Sequence, residues 1–490
     1  MIDKASDDFL VVDLDGTLIR TDLLHESVLV LIKRNPFYLI ALPFWLFQGK
    51  AHLKQEIAER VELPIDLLPY NSDLLDYLQE KRRTGVKLML ATASNKRYAE
   101  AVAAYLGIFD LVLASDANRN LSGRTKLNAI REMLGKGSFS YVGNSSIDLS
   151  IWAESDEAIL VDSSRSIIEK VRLHTSVAKI FKSGTNRIQA FLRAIRPHQW
   201  LKNLLLFVPL VLSHQLSDLQ LVLQAFLGFI AFSLCASSVY LFNDLFDLPS
   251  DRQHPTKRSR PFAAGELPLW QGCFCLAILF LLSIFIAFQL SELFVLALIT
   301  YYVLSLAYSI WLKQAVLVDG LTLAALYTLR LIAGAAVVSV SPSFWLLAFS
   351  MFIFLSLAFI KRYSELQLLH ARGKAELIGR SYRYIDAETL AQLGTASGYL
   401  AVLVLAFYIN SNAVLQLYAR PEFLWLLCPM MLYWISRMWL LARRNEMHED
   451  PVVFTIKDRR TYWIALIACI TLLISIFWPL VSNKFSWFLD

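Results

Sequence analysis

The sequence has few cysteines for its length, and their spacing does not form a binding motif. Five cysteines occur among 490 residues. All of them lie in apolar runs, at positions 235, 273, 275, 428 and 469. These spacings fit neither a zinc site nor the disulfide framework of a small secreted protein. We therefore predict that the cysteines are small core residues and exclude both of those protein classes.

Two other features are missing. The first ten residues, MIDKASDDFL, are acidic and polar, unlike the basic and then apolar start of a secretory signal peptide. We expect the first domain to stay in the cytosol. Outside the membrane loops there is no basic stripe with interleaved aromatics, although the net charge is +6. This excludes nucleic acid as an expected partner.

Charged residues are also scarce, at 18% of the chain, whereas 56% is hydrophobic and the mean hydropathy is +0.48. Soluble domains are usually about 45–50% apolar. The excess lies in long apolar runs beyond roughly the first 180 residues, which predicts a soluble domain followed by an all-α membrane domain of about nine spans. The predicted spans are 200–213, 219–242, 267–288, 292–312, 315–337, 343–362, 392–409, 422–442 and 461–481. The first of them is short and interrupted by Pro209.

The basic residues of the predicted loops are distributed unevenly between the two sides. The loops after spans two, four, six and eight hold 16 of them, whereas the other side offers roughly two, Arg420 and Lys484. The 16 residues are Arg252, Lys257, Arg258, Arg260, Lys313, Lys361, Arg362, Arg372, Lys374, Arg380, Arg383, Arg443, Arg444, Lys457, Arg459 and Arg460. The positive-inside rule predicts a multi-pass protein of the plasma membrane, with these loops in the cytosol and the C-terminus outside.

A group of acids follows the second predicted span directly. In NDLFDLPSD, residues 243–251, the acids Asp244, Asp247 and Asp251 are spaced three and four residues apart, the spacing of one helical face. Pro249 predicts a helix end or kink, so Asp251 can lie off that face. Three carboxylates without soft ligands favour a hard cation such as Mg²⁺, which usually also binds phosphate oxygens. The bases that follow, Lys257, Arg258 and Arg260, suit phosphate recognition.

A second ionisable group lies on the same predicted side. Asp319 and Arg330 are inside the fifth predicted span, Lys313 precedes it, and the run Lys361 to Glu365 closes the sixth. An acid inside an apolar run usually marks a site. Arg330 has two other interpretations, because its side chain can reach the membrane surface or pair with an acid.

The residues from about 190 to 490 resemble the UbiA superfamily of intramembrane prenyltransferases, whose first aspartate motif is similar to Asn243-Asp244-x-x-Asp247-x-x-x-Asp251. The second motif of that superfamily has two acids four residues apart, but here Leu323 follows Asp319. The sequence is closer to the decaprenyl-phosphate phosphoribosyltransferase branch. The similar segments are RPHQWLKN (196–203), DRQHPTKRSRPFAAG (251–265), YSIWLKQ…LVDG (308–320), LRLIAG (329–334) and KRYSEL (361–366).

The resemblance implies transfer of phosphoribose from phosphoribosyl pyrophosphate to a polyprenyl phosphate, with release of pyrophosphate. It implies Asp244 and Asp247 as catalytic residues, with Asn243 and Asp251 as further Mg²⁺ ligands and Asn243 also in contact with the substrate. The implied substrate-binding residues are Lys202, Asn203, Lys257, Arg258, Arg260, Lys313, Asp319, Arg330, Lys361, Arg362 and Tyr363. Lys313, Arg330, Lys361 and Arg362 are candidates for the ribose 5-phosphate or the lipid phosphate, without an assignment of each base to one group.

The N-terminal part has the pattern of an α/β domain. Apolar runs at 9–12, 86–91, 110–113, 139–143 and 158–161 alternate with helical stretches and predict a parallel sheet. Polar residues lie at or beyond the ends of these runs: Asp13, Asp15, Thr92, Lys126, Asn144 and Asp148. Because sites on such sheets form at the carboxyl ends of the strands, we expect these side chains to meet.

Residues 8–180 resemble the haloacid dehalogenase superfamily of phosphatases, through DLDGT (13–17), LATAS (90–94), GRTKL (123–127) and GNSSID (143–148). The resemblance implies Asp13 as the nucleophile, Asp15 as general acid and base, and Thr92 and Lys126 as phosphoryl-binding residues. Asp13, Asp15, Asn144 and Asp148 would surround Mg²⁺. Asn144 replaces the usual aspartate, which keeps an oxygen ligand and removes a charge.

We predict three regions: a phosphatase domain at 1–182 with a cap at about 22–82, a linker and interfacial helix at 183–195, and the transferase domain at 196–490. The apolar run 36–47 is too short to span a bilayer. It is either a core helix of the cap or a segment at the membrane interface. The predicted function is a bifunctional Mg²⁺-dependent enzyme whose phosphatase removes the 5-phosphate from the lipid product. The alternatives are a prenyltransferase that uses a prenyl diphosphate and an aromatic acceptor, and a regulatory or inactive phosphatase-like domain.

Overall fold

The computed structural model describes residues 9–135, 137–371, 380–412, 414, 418–447 and 451–485. Arg372 and Lys374, two of the predicted loop bases, lie outside these residues, and so does the side chain of Lys484. The chain forms two compact units. One combines Met1–Arg196 with Tyr240–Ala277, and the other combines Pro197–Val239 with Ile278–Asp490. The stretch 240–277, which holds the aspartate motif, therefore groups with the N-terminal residues, whereas the predicted boundary lies at residue 196.

A six-stranded parallel sheet forms the centre of the first unit. Its strands follow the order β3-β2-β1-β4-β5-β6. The strands are β1 (Phe9–Val12), β2 (Lys87–Asn95), β3 (Leu111–Ser115), β4 (Phe139–Gly143), β5 (Glu157–Val161) and β6 (Ser176–Phe181). Strands β1, β2, β4 and β5 are almost completely buried, which explains why they are continuous apolar runs. The predicted α/β fold with a parallel sheet is confirmed; β6 is an additional strand at one edge.

Within the described residues up to 196, nine helices surround this sheet or extend from it. They are α1 (Leu23–Arg34), α2 (Tyr38–Phe47), α3 (Lys50–Arg60), α4 (Ser72–Arg83), α5 (Lys96–Leu106), α6 (Arg124–Leu134), α7 (Leu149–Trp152), α8 (Arg165–Arg172) and α9 (Arg187–Ile195). The segment with α1, α2 and α3 is inserted between β1 and β2, where the cap was predicted.

Helix α2 is the most apolar element of this insertion, but none of its residues is buried. Tyr38, Leu42 and Trp45 pack partly against the core of the domain. Phe44 and Phe47 on the other side are 63% and 90% exposed. The helix is therefore not a buried core helix, and contact of its exposed side with the bilayer remains a prediction.

Eight helices in the part of the chain that the structure describes are long and apolar enough to cross a membrane. They comprise α11 (Leu219–Phe246), α13 (Leu269–Phe288), α14 (Glu292–Ile310), α15 (Val318–Val337), α16 (Phe344–His370), α17 (Ala387–Ile409), α18 (Leu427–Arg443) and α20 (Arg459–Phe485). Three short helices complete this part: α10 (Val208–Leu212), α12 (Leu248–Gln253) and α19 (Pro451–Lys457). The helical membrane domain is confirmed with eight candidate spans.

The segment predicted as the first span has a different structure. It consists of 3-10 turns from Pro197 to Phe207 and the short helix α10, which carries Pro209 near its start. The backbone of Leu206 lies so close to Gly334 of α15 that a Cβ at Gly334 would come within 2.2 Å of the Leu206 carbonyl oxygen. A backbone without regular α-helical hydrogen bonds is tolerated at membrane depth when protein covers it. This prediction was therefore wrong, since the segment packs on α15 as tight turns.

The cysteines are all free thiols, but only some are core residues. Cys235 and Cys428 are buried, Cys275 is partly covered, and Cys273 and Cys469 are exposed. The core prediction was wrong for Cys273 and Cys469, because an apolar helix that crosses a membrane can turn its apolar side chains outward to lipid.

Candidate active sites

The polar residues predicted at the strand ends meet at one edge of the sheet. Asp13 follows β1, and its side chain is buried between two partners: Lys126 Nζ donates to Oδ1 at 2.7 Å, and Thr17 Oγ1 donates to Oδ2 at 3.3 Å. Lys126 is also 3.8 Å from Asp148 Oδ1. The single ammonium of Lys126 therefore offsets part of the charge of the two carboxylates and holds the predicted nucleophile in a fixed orientation.

Asp15 lies in a separate network on the cap side of this site. Its Oδ1 accepts the backbone N–H of Leu23, the first residue of α1, at 2.9 Å. Its Oδ2 accepts Ser94 Oγ at 2.6 Å and Thr92 Oγ1 at 3.3 Å. Burial raises the pKa of Asp15 to about 7, and the nearby charge of Asp22 adds to this increase. A carboxyl group with this pKa can both donate and accept a proton near neutral pH.

Asn144 and Asp148 form the third side of the site. Asp148 Oδ2 accepts the backbone N–H of Asn144 at 3.3 Å and that of Ser145 at 3.1 Å, and its Oδ1 accepts the hydroxyl of Tyr141 at 2.9 Å. The amide of Asn144 lies against Gly16, where a Cβ would come within 2.2 Å of its Nδ2. Gly16 also has a φ of +73°, so both space and backbone conformation favour glycine there.

Two residues that the sequence did not single out also belong to this site. Ser94 donates to Asp15 as described. Lys54 of α3 donates to the Ala93 carbonyl at 2.5 Å and to Asn120 Oδ1 at 2.7 Å, and burial lowers its pKa. Lys54 comes from the insertion between β1 and β2, so its sequence position gives no sign that it lies beside residues of β2.

The aspartate cluster, which we define as Asn243, Asp244, Asp247 and Asp251, lies at the end of α11. The helix ends at Phe246, and Asp247 precedes the short helix α12, which has Pro249 in its first turn. The break predicted from Pro249 therefore occurs at Asp247, and Asp251 is on a different helix from Asp244.

Arginines connect the separated acids of the cluster. Arg260 Nη1 lies 3.1 Å from Asp244 Oδ1 and 2.6 Å from Asp251 Oδ2. Arg196 forms a second ion pair with Asp244, which is 1% exposed. Asp247 pairs instead with Lys33 of α1, at 3.1 Å. Among the predicted phosphate-binding bases, Arg260 contacts the cluster, whereas Lys257 and Arg258 lie exposed in the turn before it.

The second compact unit contains a buried ion pair at Asp319, the first turn of α15. Arg362 Nε lies 2.7 Å from Asp319 Oδ2, and both side chains are 0% exposed. Tyr308 OH donates to Asp319 Oδ1 at 2.8 Å. Arg362 also pairs with Glu365, which accepts a hydrogen bond from Arg380 at 2.6 Å. Two acids and two arginines thus form one charge-balanced network.

Arg330 is engaged by protein groups as well. Its Nε donates to Asn203 Oδ1 at 2.9 Å and its Nη2 to Tyr301 OH at 3.2 Å. Its guanidinium lies within 5.0 Å of the centre of the Tyr327 ring. Arg330 is 5% exposed and bonds to uncharged groups. These contacts fit neither of the two interpretations made from the sequence, which were pairing with an acid and extension to the membrane surface.

The other predicted binding residues of this unit are distributed around these groups. Lys202 Nζ lies 5.8 Å from the centre of the Tyr327 ring. Tyr363 is buried on α16 beside Arg362, whereas Lys361 and Lys313 are partly covered. The ligand contacts of all these residues remain predictions.

The site at the edge of the sheet and the aspartate cluster both offer oxygen ligands, the donor type that Mg²⁺ prefers. In the aspartate cluster, Asn243 Oδ1 and Asp244 Oδ2 are buried and have no hydrogen-bond partner within the described ranges, which fits ligation of a cation. Across those same ranges, no group of three or more His, Cys, Asp or Glu side chains is close enough to hold a metal ion. Mg²⁺ would therefore take one or two carboxylates here and complete its shell with water and phosphate oxygens.

Comparison with known proteins identifies two families. The profile of the UbiA prenyltransferase family matches residues 204–457, and that of the haloacid dehalogenase-like hydrolases matches residues 10–150. The uncharacterized protein y4nM of Sinorhizobium fredii is 35% identical over 94% of this chain and 89% of its own length. The decaprenyl-phosphate phosphoribosyltransferase of Mycobacterium tuberculosis is 36% identical over 44% of this chain and 73% of its own length.

Among solved structures, a UbiA homolog from Archaeoglobus fulgidus bound to DMAPP and Mg²⁺ aligns with a TM-score of 0.45 at 16% identity. It covers 58% of this chain and 97% of that protein. Both matched families are typically Mg²⁺-dependent. The transferase profile covers more than half of the chain, and the y4nM relative matches nearly all of it. The chain therefore belongs to the UbiA prenyltransferase family, and it carries an N-terminal haloacid dehalogenase-like domain.

Proposed function

We propose that this protein is a bifunctional membrane enzyme. Its transferase domain moves 5-phosphoribose from phosphoribosyl pyrophosphate to a polyprenyl phosphate and releases pyrophosphate. Its phosphatase domain then removes the 5-phosphate and leaves polyprenyl phosphoryl ribose. The residues of each step are those predicted from the sequence, with Mg²⁺ as the cofactor of both domains.

The observation that carries the choice of donor is the state of Asp319. Its carboxylate forms a fully buried ion pair with Arg362 and accepts a hydrogen bond from Tyr308, and Leu323 takes the position of the second acid. A carboxylate neutralised in this way is poorly suited to be half of a second metal-binding motif. This supports a donor that is not a prenyl diphosphate. The 36% identity to a decaprenyl-phosphate phosphoribosyltransferase supports the same choice.

In the proposed transfer, an oxygen of the lipid phosphate attacks the anomeric carbon of the donor, and the bond from that carbon to pyrophosphate breaks. Mg²⁺ on the aspartate cluster would supply charge stabilisation for the leaving group. The protein contributes Arg260 and Arg196, which bind Asp244 directly. These guanidinium groups pair with the buried carboxylate and would add positive charge where the pyrophosphate forms.

In the proposed hydrolysis, Asp13 attacks the 5-phosphate and the bond from phosphorus to the ribose oxygen breaks. Asp15 gives its proton to that oxygen. Asp15 then takes a proton from the water that hydrolyses the aspartyl phosphate. The raised pKa of Asp15, about 7, supports both roles. Lys126, 2.7 Å from Asp13, would orient the nucleophile and bind phosphoryl oxygens.

Contacts within the first compact unit support a common sidedness. Glu26 of α1 pairs with Arg252 in the loop after α11, so the phosphatase domain and the aspartate cluster face the same side of the membrane in this proposal. The excess of basic residues in the predicted loops supports a cytosolic location for that side.

The test is an incubation of the purified full-length protein with labelled phosphoribosyl pyrophosphate, a polyprenyl phosphate and Mg²⁺. We expect label in the lipid fraction as a lipid-linked pentose without a 5-phosphate. If label enters lipid only from a prenyl diphosphate and an aromatic acceptor, the enzyme is a prenyltransferase of the common type. If the sugar phosphate is never removed, the N-terminal domain is regulatory or acts elsewhere.

A further inference from the structure

The first helix of the phosphatase cap reaches the aspartate cluster. Lys33 lies in the last turn of α1, and its Nζ donates to the Phe246 carbonyl at 2.6 Å and to Asp247 Oδ1 at 3.1 Å. Phe246 is the last residue of α11. A lysine of the soluble domain therefore contacts one of the acids that the sequence assigns to the membrane domain.

A buried ion pair holds α1 in this position. Glu26 accepts two hydrogen bonds from Arg252, at 3.0 Å from Nη1 and 2.5 Å from Nη2, and both side chains are 5% exposed. Arg252 Nε also donates to the Ala263 carbonyl at 3.0 Å. Positions 26 and 33 are seven residues apart, about two helical turns, so both side chains lie on the same face of α1.

The loop also touches the chain just before α1. Gly265 has a φ of +71°, and a Cβ at this position would come within 2.9 Å of the Arg20 carbonyl oxygen. The contact between the cap and the loop therefore includes close backbone packing and a shielded charge pair. It positions Lys33 much more firmly than an exposed ion pair alone would.

The chemistry of Lys33 matches a phosphate ligand. An ammonium group has three donors, and two of them are used by Phe246 and Asp247. The side chain is 48% exposed, so a third donor can reach a bound anion. Such a cation next to an acid of a cluster that binds Mg²⁺ and phosphate is placed to contact phosphate oxygens.

We propose that Lys33 is a phosphate-binding residue of the transferase, supplied by the phosphatase cap and positioned by the pair of Glu26 and Arg252. The identity of the phosphate donor rests on the proposed function. The inference gives the phosphatase domain a second role that does not depend on its own catalysis. Loss of Asp13 should then stop hydrolysis and leave transfer intact, whereas loss of Lys33 should weaken transfer and leave hydrolysis intact.

The experiment measures initial rates of lipid labelling against the concentration of phosphoribosyl pyrophosphate, with the polyprenyl phosphate held constant. Loss of one charge-assisted hydrogen bond predicts that Lys33→Gln raises the KM for the donor by about tenfold while kcat changes little. Lys33→Arg should keep most of the affinity. Glu26→Gln should raise the KM partly, through misplacement of α1. Lys96→Gln is the matched control, since Lys96 is an exposed lysine on α5 that pairs with Glu100.

Two further measurements make the result independent of the proposed donor. Hydrolysis of p-nitrophenyl phosphate should be equal in Lys33→Gln and wild type, which shows that the domain is folded. Calorimetric binding of inorganic pyrophosphate with Mg²⁺ should be about tenfold weaker in Lys33→Gln. If wild type transfers no label from phosphoribosyl pyrophosphate, the proposed function fails, and the pyrophosphate titration alone decides the role of Lys33. The proposal for Lys33 is overturned if Lys33→Gln leaves the pyrophosphate affinity unchanged and, where transfer is measurable, leaves the donor KM unchanged as well.

Discussion

Glu26 and Arg252 are 226 positions apart in the sequence, and their side chains form a two-point ion pair that is almost completely shielded from solvent. Glu26 lies outside the quoted motifs, and Arg252 lies in the segment 251–265 without having been assigned a partner. The pair nevertheless joins the cap of the phosphatase to the loop that carries the aspartate cluster. It is one of the contacts between residues 240–277 and the N-terminal part of the chain, which form one compact unit.

Removal of either Glu26 or Arg252 should destabilise the contact between the cap and the loop. Arg252→Met leaves the Glu26 carboxylate buried without a counter-charge, which typically destabilises by about 3–5 kcal/mol. We expect faster hydrogen exchange in α1 and in the loop 252–263. The double variant Glu26→Leu with Arg252→Met should recover much of the protection. Arg165→Met, which breaks an exposed pair with Glu169, should change exchange little. Equal protection in Arg252→Met and wild type would mean that the pair contributes nothing.

The aspartate cluster should be essential for lipid glycosylation. Asp244→Asn removes the charge that Arg196 and Arg260 surround, and Asp247→Ala removes the partner of Lys33. We expect each variant to reduce transfer at least roughly 100-fold, because charge stabilisation at a reacting centre is usually worth that much. Hydrolysis of p-nitrophenyl phosphate reports on folding. Asp218→Asn, an exposed acid before the start of α11, serves as the control. Near-normal transfer in both cluster variants would exclude a metal site there.

The two active sites should be separable at Asp13. Asp13→Asn keeps the size of the side chain, but an amide does not form an acyl phosphate. The variant should still transfer the sugar and should accumulate a lipid heavier than the wild-type product by one phosphate group. Mass spectrometry of the lipid extract measures this difference, and treatment with an added phosphatase should remove it. If the wild-type protein also yields only the phosphorylated lipid, the soluble domain has another substrate.

Helix α2 should contact the bilayer with its exposed side. Phe47 is 90% exposed, and α2 follows α1, whose Lys33 bonds to the end of the span α11. A polarity-sensitive fluorophore on Phe47→Cys should be quenched by nitroxide lipids in reconstituted protein. The exposed Cys273 and Cys469 are replaced by serine beforehand. Tyr105→Cys, at an exposed position of helix α5, gives the unquenched reference. Equal quenching at both positions would contradict a specific contact of α2.

The substitution Trp45→Glu would be a poor test of this contact. Trp45 packs partly against the core of the domain and lies under the guanidinium of Arg60, 5.0 Å from its ring centre. A charge at this position would disturb the fold of the cap as well as any membrane contact.

The sequence predicted most of the sheet and its site for a clear physical reason. Strands buried on both faces are continuous apolar runs. Asp13 and Asn144 follow β1 and β4 and Thr92 lies in the last part of β2, so the three residues lie at the same edge of the sheet because the strands are parallel. The edge strand β6 was missed because its side chains are largely exposed. An exposed edge strand has no apolar run to mark it.

Contacts between distant segments could not be predicted in the same way. The turns at 197–207 are apolar enough to suggest a span, and only their close packing on Gly334 explains why they do not form one. Lys33 and Lys54 are ordinary helical lysines in the sequence. Their partners, Asp247 and the Ala93 carbonyl, follow from the way the insertion folds over the sheet.

Each end of helix α1 contacts a carboxylate that the sequence predicts to be catalytic. The N–H of Leu23 binds Asp15, and ten residues later Lys33 binds Asp247. Ten residues of α-helix measure about 15 Å. With the reach of the lysine side chain, the two carboxylates are on the order of 20 Å apart, about half the thickness of a bilayer with its headgroups. In the proposed pair of reactions, a sugar headgroup on a mobile lipid tail would cover this distance by local diffusion, without a carrier to transport it from one reaction to the next.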